Sequence, residues 1–213
     1  YEARNVELYK TSTTSELYGA LGYLSELNLQ KNLNNSVHNL TPKFLVRYAP
    51  GSMRKETDGS RLSYTDAFKI NRSNDLNNFE IGLNSTLGID YSVKKDVKEF
   101  DFSIAQIFNQ EENKKMSSES SLDEKNSDLT GVSNFKLNNK INLNYNFSID
   151  QNYKDFNYNE IGTNFNFDPI EFNFDYLKES KHIGDKEYFK TKISYVKNNG
   201  SFTFSNKRNL ITN

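Results

Sequence analysis

The feature that most constrains the fold is a stretch from residue 79 to residue 93 in which apolar and polar side chains alternate. Such alternation is the pattern of a β-strand with two unlike faces, but strands of soluble sheets usually have only about 5 to 6 residues. A strand that crosses a membrane in a β-barrel needs roughly 9 to 11 residues, with one face in lipid and the other in a hydrated lumen. The stretch therefore favours a transmembrane barrel. Its apolar positions are Phe79, Ile81, Leu83, Leu87, Ile89, Tyr91 and Val93.

Composition supports a folded β protein that crosses a membrane with strands. The mean hydropathy of −0.82 alone would suggest disorder, but the chain holds 16 Phe and 13 Tyr, and disordered chains are poor in aromatic residues. No run approaches the roughly 18 apolar residues of a membrane-spanning helix. A closed sheet is the other structure that satisfies every backbone amide inside a bilayer. The sequence thus predicts an all-β fold, an antiparallel up-and-down transmembrane β-barrel.

Charge and cysteine content exclude several classes of function. The 27 Lys and Arg side chains balance 28 Asp and Glu without forming a basic stripe along the sequence, so nothing electrostatic points to nucleic acid as a partner. The absence of cysteine removes zinc fingers, thiol catalysis and disulfide scaffolds. His38 and His182 fall in predicted turns without a nucleophile or an orienting group, and no His or Asp cluster has metal-ligand spacing. We therefore predict no enzyme, no metal site and no cofactor.

Strand-like segments follow one another along the chain. Residues 16–30 favour a strand, although their leucine spacing also suits one face of a helix. Residues 41–49 form a strand that Pro50 and Gly51 should end, because proline removes a ladder donor and glycine frees the backbone. Further strands are predicted at 79–93, 100–104, 141–149, 161–167, 170–176, 189–195 and 202–204.

The connections between these segments alternate between short and long. Residues 31–39 are predicted as an asparagine-rich link, 51–77 as one long structured loop, and 109–127, with its serine-rich run, as a mobile loop. Consecutive connections in an up-and-down sheet lie at opposite ends, and outer-membrane barrels place short turns in the periplasm and long loops outside. This alternation predicts that residues 178–186 form one of the long outer loops and that residues 198–200 form a tight turn.

The polar face of the predicted sheet is rich in Asn, Ser, Thr, Gly, Asp and Glu. A solvated face of a soluble antiparallel sheet has the same chemistry. Many long strands with Phe, Tyr, Ile or Leu on the other side would, however, leave a very large apolar surface exposed unless lipid covers it, and no second set of strands is evident for a sandwich. We therefore interpret the polar face as a barrel lumen. A soluble sheet module, such as an adhesin or carbohydrate binder, stays an alternative.

Five segments carry residue patterns that point to one family. They are LTPKFLVRYAPGSMR at 40–54, RLSYTDAFKINR at 61–72, FEIGLNSTLGIDYS at 79–92, FSIAQIFN at 102–109 and SSLDEKNSDLTG at 120–131. These segments resemble the C-terminal barrel domain of the LptD family, the LPS-assembly or organic-solvent-tolerance proteins of Gram-negative outer membranes. The resemblance covers most of the chain beyond residue 40.

The resemblance implies an outer-membrane translocon, located in the cell outer membrane. Proteins of this family take lipopolysaccharide (LPS) from periplasmic Lpt bridge proteins and pass its sugar part through a hydrated lumen. They release its lipid part through a lateral opening between the first and last strands, and a plug lipoprotein, LptE, sits inside the barrel. The implied partners are thus lipopolysaccharide, an LptE-like plug lipoprotein, the periplasmic bridge proteins and outer-membrane lipid.

The resemblance and the alternation together identify two groups of candidate site residues. The arginines of the family-motif loop are candidates for contact with LPS phosphates or the plug, or for pinning the loop by hydrogen bonds; Ser52 stands where the family usually has a small acidic residue. Asparagines on the polar face offer neutral donors and acceptors along which a polyanionic sugar slides without being trapped. The loop residues are Pro50, Gly51, Met53, Arg54, Arg61 and Arg72, and the lumen-facing candidates are Asn84, Asn142, Asn144, Asn146, Asn164, Asn166 and Asn173.

One further alternative is an outer-membrane porin or substrate-specific channel, in which solutes cross the lumen and nothing leaves sideways. A periplasmic jelly-roll domain upstream would favour LPS transport, whereas a plug domain or a constriction loop with opposed charge rows would favour a channel. The chain begins at Tyr1 rather than Met and stops just after a strand-like run. We therefore expect residues 1–213 to be part of one outer-membrane β-barrel domain of a longer polypeptide.

Overall fold

The computed structural model describes residues 18–56, 59–73, 75, 78–180, 184–197 and 200–211. Within these ranges the chain forms β-strands and one short 3₁₀ turn at Ser118–Ser120. The predicted all-β class is therefore confirmed. The strands are β1 (Leu21–Glu26), β2 (Leu29–Leu33), β3 (Ser36–Ala49), β4 (Gly82–Lys95), β5 (Lys98–Asn109), β6 (Leu129–Asn138), β7 (Ile141–Ile149), β8 (Phe156–Phe167), β9 (Ile170–Glu179), β10 (Lys186–Lys197) and β11 (Gly200–Asn209).

All eleven strands of the described ranges belong to one antiparallel sheet. Its order runs from β1 through β3 to β11, with β2 also paired to β3, so strands that follow one another in sequence are neighbours in space. This is the up-and-down topology predicted above. The described sheet is open, because β1 and β11 do not pair with each other, which is consistent with part of a barrel. No helix among these residues is long and apolar enough to cross a membrane.

β1 and β2 behave as one strand that is interrupted at Leu27 and Asn28, opposite Pro42 of β3. The Leu27 amide donates to the Pro42 carbonyl at 3.1 Å, so the Pro42 nitrogen, which has no hydrogen to donate, points to the same side. A proline inside a sheet requires such a break in pairing. The strand predicted in residues 16–30 is thus present from residue 21 with this break; residues 16–17 lie outside the described ranges.

Residues 31–39, predicted as an asparagine-rich, turn-forming link, contain a turn but are otherwise strand. β2 and β3 meet in a two-residue turn at Asn34 and Asn35, whose φ angles are 49° and 61°. Two successive positive φ angles define a tight hairpin turn, and Asn tolerates them better than most residues. The asparagine-rich segment is therefore mostly strand, and only its central pair is turn.

β4 begins at Gly82, three residues later than the stretch predicted from residue 79, and continues to Lys95. The reason lies in Glu80, whose carboxylate is held by buried arginine side chains. These ion pairs draw residues 79–81 out of the hydrogen-bonded ladder, while the alternation of side chains along the sequence continues. The apolar and polar pattern alone therefore overestimates the strand at its start.

The predicted parity of the connections is confirmed. Two-residue turns join the strands at one end of the sheet, and the described ones are 34–35, 96–97, 139–140 and 168–169. The longer connections lie together at the other end, and they are 50–81, 110–128, 150–155 and 180–185. Of the tight turn predicted at 198–200, the first two residues lie outside the described ranges, but β10 and β11 pair closely on either side of it.

One face of the sheet, here called the apolar face, is apolar and exposed along most of its length. Many cross-strand neighbours on it are both apolar, as in the pair Phe44 and Leu87, and rings contact one another from strand to strand. Within the ranges that the structure describes, no second sheet covers this face. Its strongly exposed side chains include Leu40, Phe44, Leu87, Ile89, Ile161, Ile193, Phe202 and Phe204. A surface of this extent in a monomer marks contact with lipid or protein.

The mobile loop predicted at 109–127 is found at 110–128, where it is folded against the protein. Met116 and Leu122 are only 3% and 1% exposed, and they supply apolar anchors that the hydrophilic composition concealed. The serine-rich run forms a capped turn, in which the Ser120 hydroxyl donates to the Ser117 carbonyl at 2.7 Å. Ser127 closes the loop onto β5 through backbone and side-chain hydrogen bonds with Ile107 of 2.9 and 3.0 Å.

Candidate functional site

The opposite face of the sheet, here called the polar face, carries all of the predicted lumen asparagines. Cross-strand pairing aligns Asn142, Asn164 and Asn173 in one row across β7, β8 and β9, and the Asn164 amide donates to the Asn173 side chain at 2.6 Å. The other predicted asparagines lie on the same face, and they are Asn144 and Asn146 on β7, Asn166 on β8 and Asn84 on β4. The shared face follows from the two-residue period of a strand. That this face lines a lumen stays a prediction.

Two long connections cover part of the polar face. We call residues 50–81 loop A and residues 110–128 loop B. They bury a compact apolar cluster against β5. Hydrogen bonds also join the two loops: the Glu56 amide donates to the Lys115 carbonyl at 2.8 Å, and the Gly59 amide donates to the Glu119 carboxylate at 3.2 Å. The members of the cluster are Met53, Leu62 and Ala67 of loop A, Met116 and Leu122 of loop B, and Ala105 and Ile107 of β5.

Gly88 shows how closely loop A approaches the sheet. A Cβ atom at this position would lie 2.6 Å from the ring of Phe68 in loop A and 2.8 Å from the Ile104 carbonyl. A side chain there would collide with both groups, so only glycine lets the ring rest on the strand. The neighbouring Thr86 hydroxyl donates to the Ala67 carbonyl at 3.0 Å. Loop A is thus seated on β4 rather than suspended over it.

A buried cluster of charges holds the end of loop A on the polar face. Arg72 donates two hydrogen bonds to the Glu80 carboxylate, one of them from Nε at 2.7 Å. Arg47 of β3 lies 3.7 Å from the same carboxylate and also donates to the backbone carbonyls of Ile70 and Glu80. The Asn84 side-chain amide donates to the Glu80 carboxylate at 3.2 Å. The three charged side chains are at most 3% exposed. Two guanidinium groups therefore depend on one carboxylate for compensation.

A second polar contact joins Tyr64 of loop A to the strands beneath it. Its hydroxyl donates to Asp90 of β4, which also pairs with the ammonium of Lys43 at 2.7 Å. Burial, together with the hydrogen bond to Asp90, raises the pKa of Tyr64 to about 12. The phenol therefore stays protonated in the folded protein at pH values where a free tyrosine has ionised.

We expect the Tyr64→Phe variant to lose stability less steeply than the wild type between pH 10 and about 12. Because the folded-state pKa is raised above its ordinary value of 10.0, the stabilisation by the protonated phenol is complete below pH 10 and is lost as the pH rises through the folded-state pKa. Urea unfolding of both proteins across this pH range measures the difference, and titration of the remaining tyrosines cancels in the comparison. Parallel curves above pH 10 would contradict the assignment.

A third contact carries loop A across the sheet to β8 and β9. Arg61 forms an ion pair with Glu179 at the end of β9, and its guanidinium carbon lies 3.3 Å from the ring centroid of Tyr158 on β8. The Tyr158 hydroxyl in turn donates to Glu160 at 2.7 Å, and Glu160 also accepts from the Asn146 amide at 2.9 Å. Loop A thus reaches from β3 to β9, and a cavity of about 270 Å³ remains between it and the strands.

The remaining family-motif residues form the first turn of loop A. β3 ends directly before Pro50, as predicted, and Gly51 has a φ of 107°, a conformation that side-chain-bearing residues rarely adopt. Met53 is 4% exposed and belongs to the apolar cluster. The Asn78 side chain accepts a hydrogen bond from the Arg54 backbone amide at 3.1 Å and donates one to the Arg54 carbonyl at 2.9 Å. These residues hold the loop in place; the predicted contacts of Arg54, Arg61 and Arg72 with LPS or a plug stay predictions.

The polar face also carries a basic patch that we did not predict from the sequence. Lys190 and Lys192 alternate along β10, and pairing places Lys207 of β11 directly opposite Lys190. All three side chains are exposed. The spacing of two residues between Lys190 and Lys192 was visible in the sequence, but Lys207 joins them only through the register of the hairpin. The sequence therefore contained part of the signal, and the register supplied the rest.

The polar face offers groups that suit binding. His38 lies in β3 rather than in the predicted turn, and it shares the apolar-face parity of Leu40. Its ring nitrogens lie 2.7 Å from the Tyr91 hydroxyl and 2.8 Å from the Ser36 hydroxyl; His182 lies outside the described ranges. Among the described residues, no three His, Asp or Glu side chains are grouped so that they could hold a metal ion. Amides, hydroxyls, paired charges and lysines are instead groups that contact sugars, phosphates and water.

A family comparison supplies an independent finding. The family model LptD, described as LPS transport system D, matches residues 3–208 of the 213-residue chain. The match includes the five segments quoted above, both long loops and every strand up to β11 except its last residue. No curated protein matches the chain.

Proposed function

Because the chain belongs to the LptD family of LPS transport system D proteins, we propose that it forms part of the β-barrel through which LPS reaches the outer leaflet of the outer membrane. The polar sugar part passes along the polar face, which lines the lumen. The acyl chains stay on the lipid side and leave through a lateral opening between the first and last strands of the complete barrel. Residues 1–213 form part of one barrel domain in this proposal.

The observation that carries the proposal is the contrast between the two faces of one sheet. An amphiphile with a large sugar part needs a hydrated, hydrogen-bonding path, since burying its polar groups without partners costs several kcal/mol each. Its acyl chains need a continuous apolar surface. The polar face supplies a row of three asparagine amides across β7, β8 and β9, and the apolar face supplies exposed rings and aliphatic side chains of the length that a bilayer requires.

Loops A and B fit a place inside the lumen at its outer end. They lie at the end of the sheet that carries the long connections, and in outer-membrane barrels this end faces outward. Loop A occupies space over β3 to β9 and so narrows the path beside it. We propose that an LptE-like plug lipoprotein occupies the remaining lumen from the opposite, periplasmic end, where periplasmic Lpt bridge proteins deliver LPS.

The proposal predicts that cells depleted of the full-length protein lose newly made LPS from their surface. A Gram-negative strain with a repressible copy of the gene is pulse-labelled in its LPS sugars, and surface LPS is measured by its accessibility to an added outer-leaflet-modifying enzyme. Surface-accessible labelled LPS should fall by about tenfold or more while LPS synthesis continues. Expression of the wild-type gene in trans should restore it. Normal surface LPS after depletion would eliminate the transport function.

A porin or substrate-specific channel is the alternative function, and loop A resembles a constriction loop in its position. The family assignment weighs against this reading. The same depletion experiment separates the two, because loss of a porin reduces the uptake of small solutes and leaves newly made LPS on the surface. We expect depletion of this protein to remove newly made LPS from the surface and to leave the uptake of small solutes unchanged.

A further inference from the structure

We propose that Lys190, Lys192 and Lys207, here called the lysine track, bind the phosphate and carboxylate groups of the transported LPS as they pass along the polar face. This inference rests on the proposed transport function and adds to it a defined contact surface for the cargo. The chemistry required is a row of mobile cations on the hydrated side of the sheet, and these three exposed lysines provide it.

The pairing of Lys190 with Lys207 is the first observation that calls for a ligand. The two residues are direct cross-strand partners in the β10–β11 hairpin, and their Cβ atoms are therefore about 4.5 to 5.5 Å apart. Like charges placed directly opposite each other destabilise a sheet. Lysines at the edge of a sheet often prevent aggregation, but Lys190 and Lys192 lie on β10, which is paired on both sides.

Most of the residues directly opposite the lysine track are uncharged or basic. Across the β9–β10 pairing, Lys190 faces Asp175 and Lys192 faces Asn173. Across the β10–β11 pairing, Lys192 faces Ser205. Three ammonium groups thus have one carboxylate directly opposite them. Glu171 lies one polar-face pair further along, opposite Ser194, and Glu160 and Glu179 act through their charge on the neighbouring Tyr188.

Tyr188 contacts the lysine track and orients one of its side chains. The Lys207 ammonium lies 3.9 Å from the centroid of the Tyr188 ring, and Tyr188 precedes Lys190 on the same face of β10. The interaction of a cation with an aromatic face is worth roughly 0.5 to 1 kcal/mol at exposed sites. It places Lys207 beside Tyr188 but does not neutralise it, so the ammonium keeps its charge for an anionic ligand.

Lysine is the residue type that a moving anionic cargo requires. Arginine grips phosphate and carboxylate with two parallel hydrogen bonds, whereas the lysine ammonium is a flexible point charge. Passage through a pore requires contacts that are favourable enough for entry and weak enough for release. The asparagine row across β7, β8 and β9 offers neutral contacts alongside. The track therefore supplies charge, and the row supplies hydrogen bonds along which the sugar slides.

The test is photo-crosslinking in cells that make the full-length protein. A benzophenone side chain replaces Ser205 beside the lysine track or Asn146 elsewhere on the polar face. Each probe is combined with the wild-type track, with Lys190→Gln, Lys192→Gln and Lys207→Gln together, or with the three corresponding Lys→Arg changes. The matched control is Lys125→Gln, Lys154→Gln and Lys197→Gln, which removes the same charge from exposed lysines outside the track.

We expect LPS adducts from Ser205 and Asn146 in the wild type. The triple Gln variant of the track should reduce the Ser205 adduct about tenfold or more, since a lysine near an anionic surface contributes on the order of a fivefold gain in binding. The Lys→Arg variant and the control variant should keep the Ser205 adduct at the wild-type level. Adduct is normalised to the amount of folded barrel, which is read from its mobility on unheated gels, so that a folding defect cannot imitate the result.

Two outcomes overturn the inference at different levels. An unchanged Ser205 adduct in the triple Gln variant, with adduct also at Asn146, would eliminate the lysine track and leave the transport function standing. Adduct from neither polar-face probe in the wild type would remove both the track and the polar face as the path of the cargo.

Discussion

Replacing Glu80 with glutamine should destabilise the protein by about 3 to 5 kcal/mol, the range for leaving a buried charge without its partner. Glutamine keeps the size of the side chain but removes its charge. Arg47 and Arg72 would then share a buried site without a carboxylate, because both are fully buried and Glu80 is the acid that each contacts. The Asn84 amide would keep a neutral acceptor. Loop A should detach from β3 at the same time, since this cluster holds its end.

Urea unfolding in detergent or lipid vesicles measures the loss, and protease cleavage within loop A reports its detachment. The matched control is Glu112→Gln in loop B. Glu112 also forms an ion pair, with Lys114 at 3.2 Å, but both side chains are more than half exposed, and exposed pairs contribute about 0 to 1 kcal/mol. A Glu80→Gln protein within 1 kcal/mol of the wild type, with loop A still resistant to protease, would show that the cluster does not hold the loop.

The large-scale architecture could be predicted from the sequence because each feature depends on local periodicity. Alternation over residues 79–93 assigns side chains to two faces, and the lengths of the connections assign them to two ends. Neither assignment depends on which residues of neighbouring strands pair with each other. They therefore survive errors in strand boundaries, such as the late start of β4 at Gly82.

The packing on the polar face could not be predicted, because it depends on contacts between distant residues. Glu80 looked like one more polar position of a strand, and its partners Arg47 and Arg72 are found only by folding loop A back onto β3. Loop B looked too hydrophilic to fold, yet two apolar residues, Met116 and Leu122, are enough to anchor it. Lys207 joins Lys190 only through the register of β10 and β11.

These contacts give the molecule its core on the side that also carries its polar rows. In a soluble sheet the apolar face is packed and the polar face is wet. Here the buried apolar cluster lies between loops A and B and the polar face of β5, while the apolar face is left exposed. This arrangement is stable only if something other than the described chain covers the apolar face, and a bilayer does so for a barrel.

The inverted packing leads to the last prediction, that Ile107→Ala costs about 2 to 5 kcal/mol whereas Ile193→Ala costs much less. Ile107 is fully buried on β5 beneath both loops, so its truncation leaves a cavity that the loops cannot easily fill. Ile193 is 39% exposed on the apolar face of β10, where lipid chains adapt to the smaller side chain. The two variants make the same chemical change on opposite faces of the sheet, and each is unfolded with urea in the same lipid vesicles.

Protease sensitivity extends this comparison from stability to the loops. Ile107→Ala should expose loops A and B to cleavage, because Ile107 packs in the cluster that joins them to β5. Ile193→Ala should leave both loops resistant. If Ile193→Ala were the more damaging of the two, the main packing would lie on the apolar face, and a second layer of protein rather than lipid would have to cover it. The membrane assignment and the proposed path of LPS along the polar face would then both be wrong.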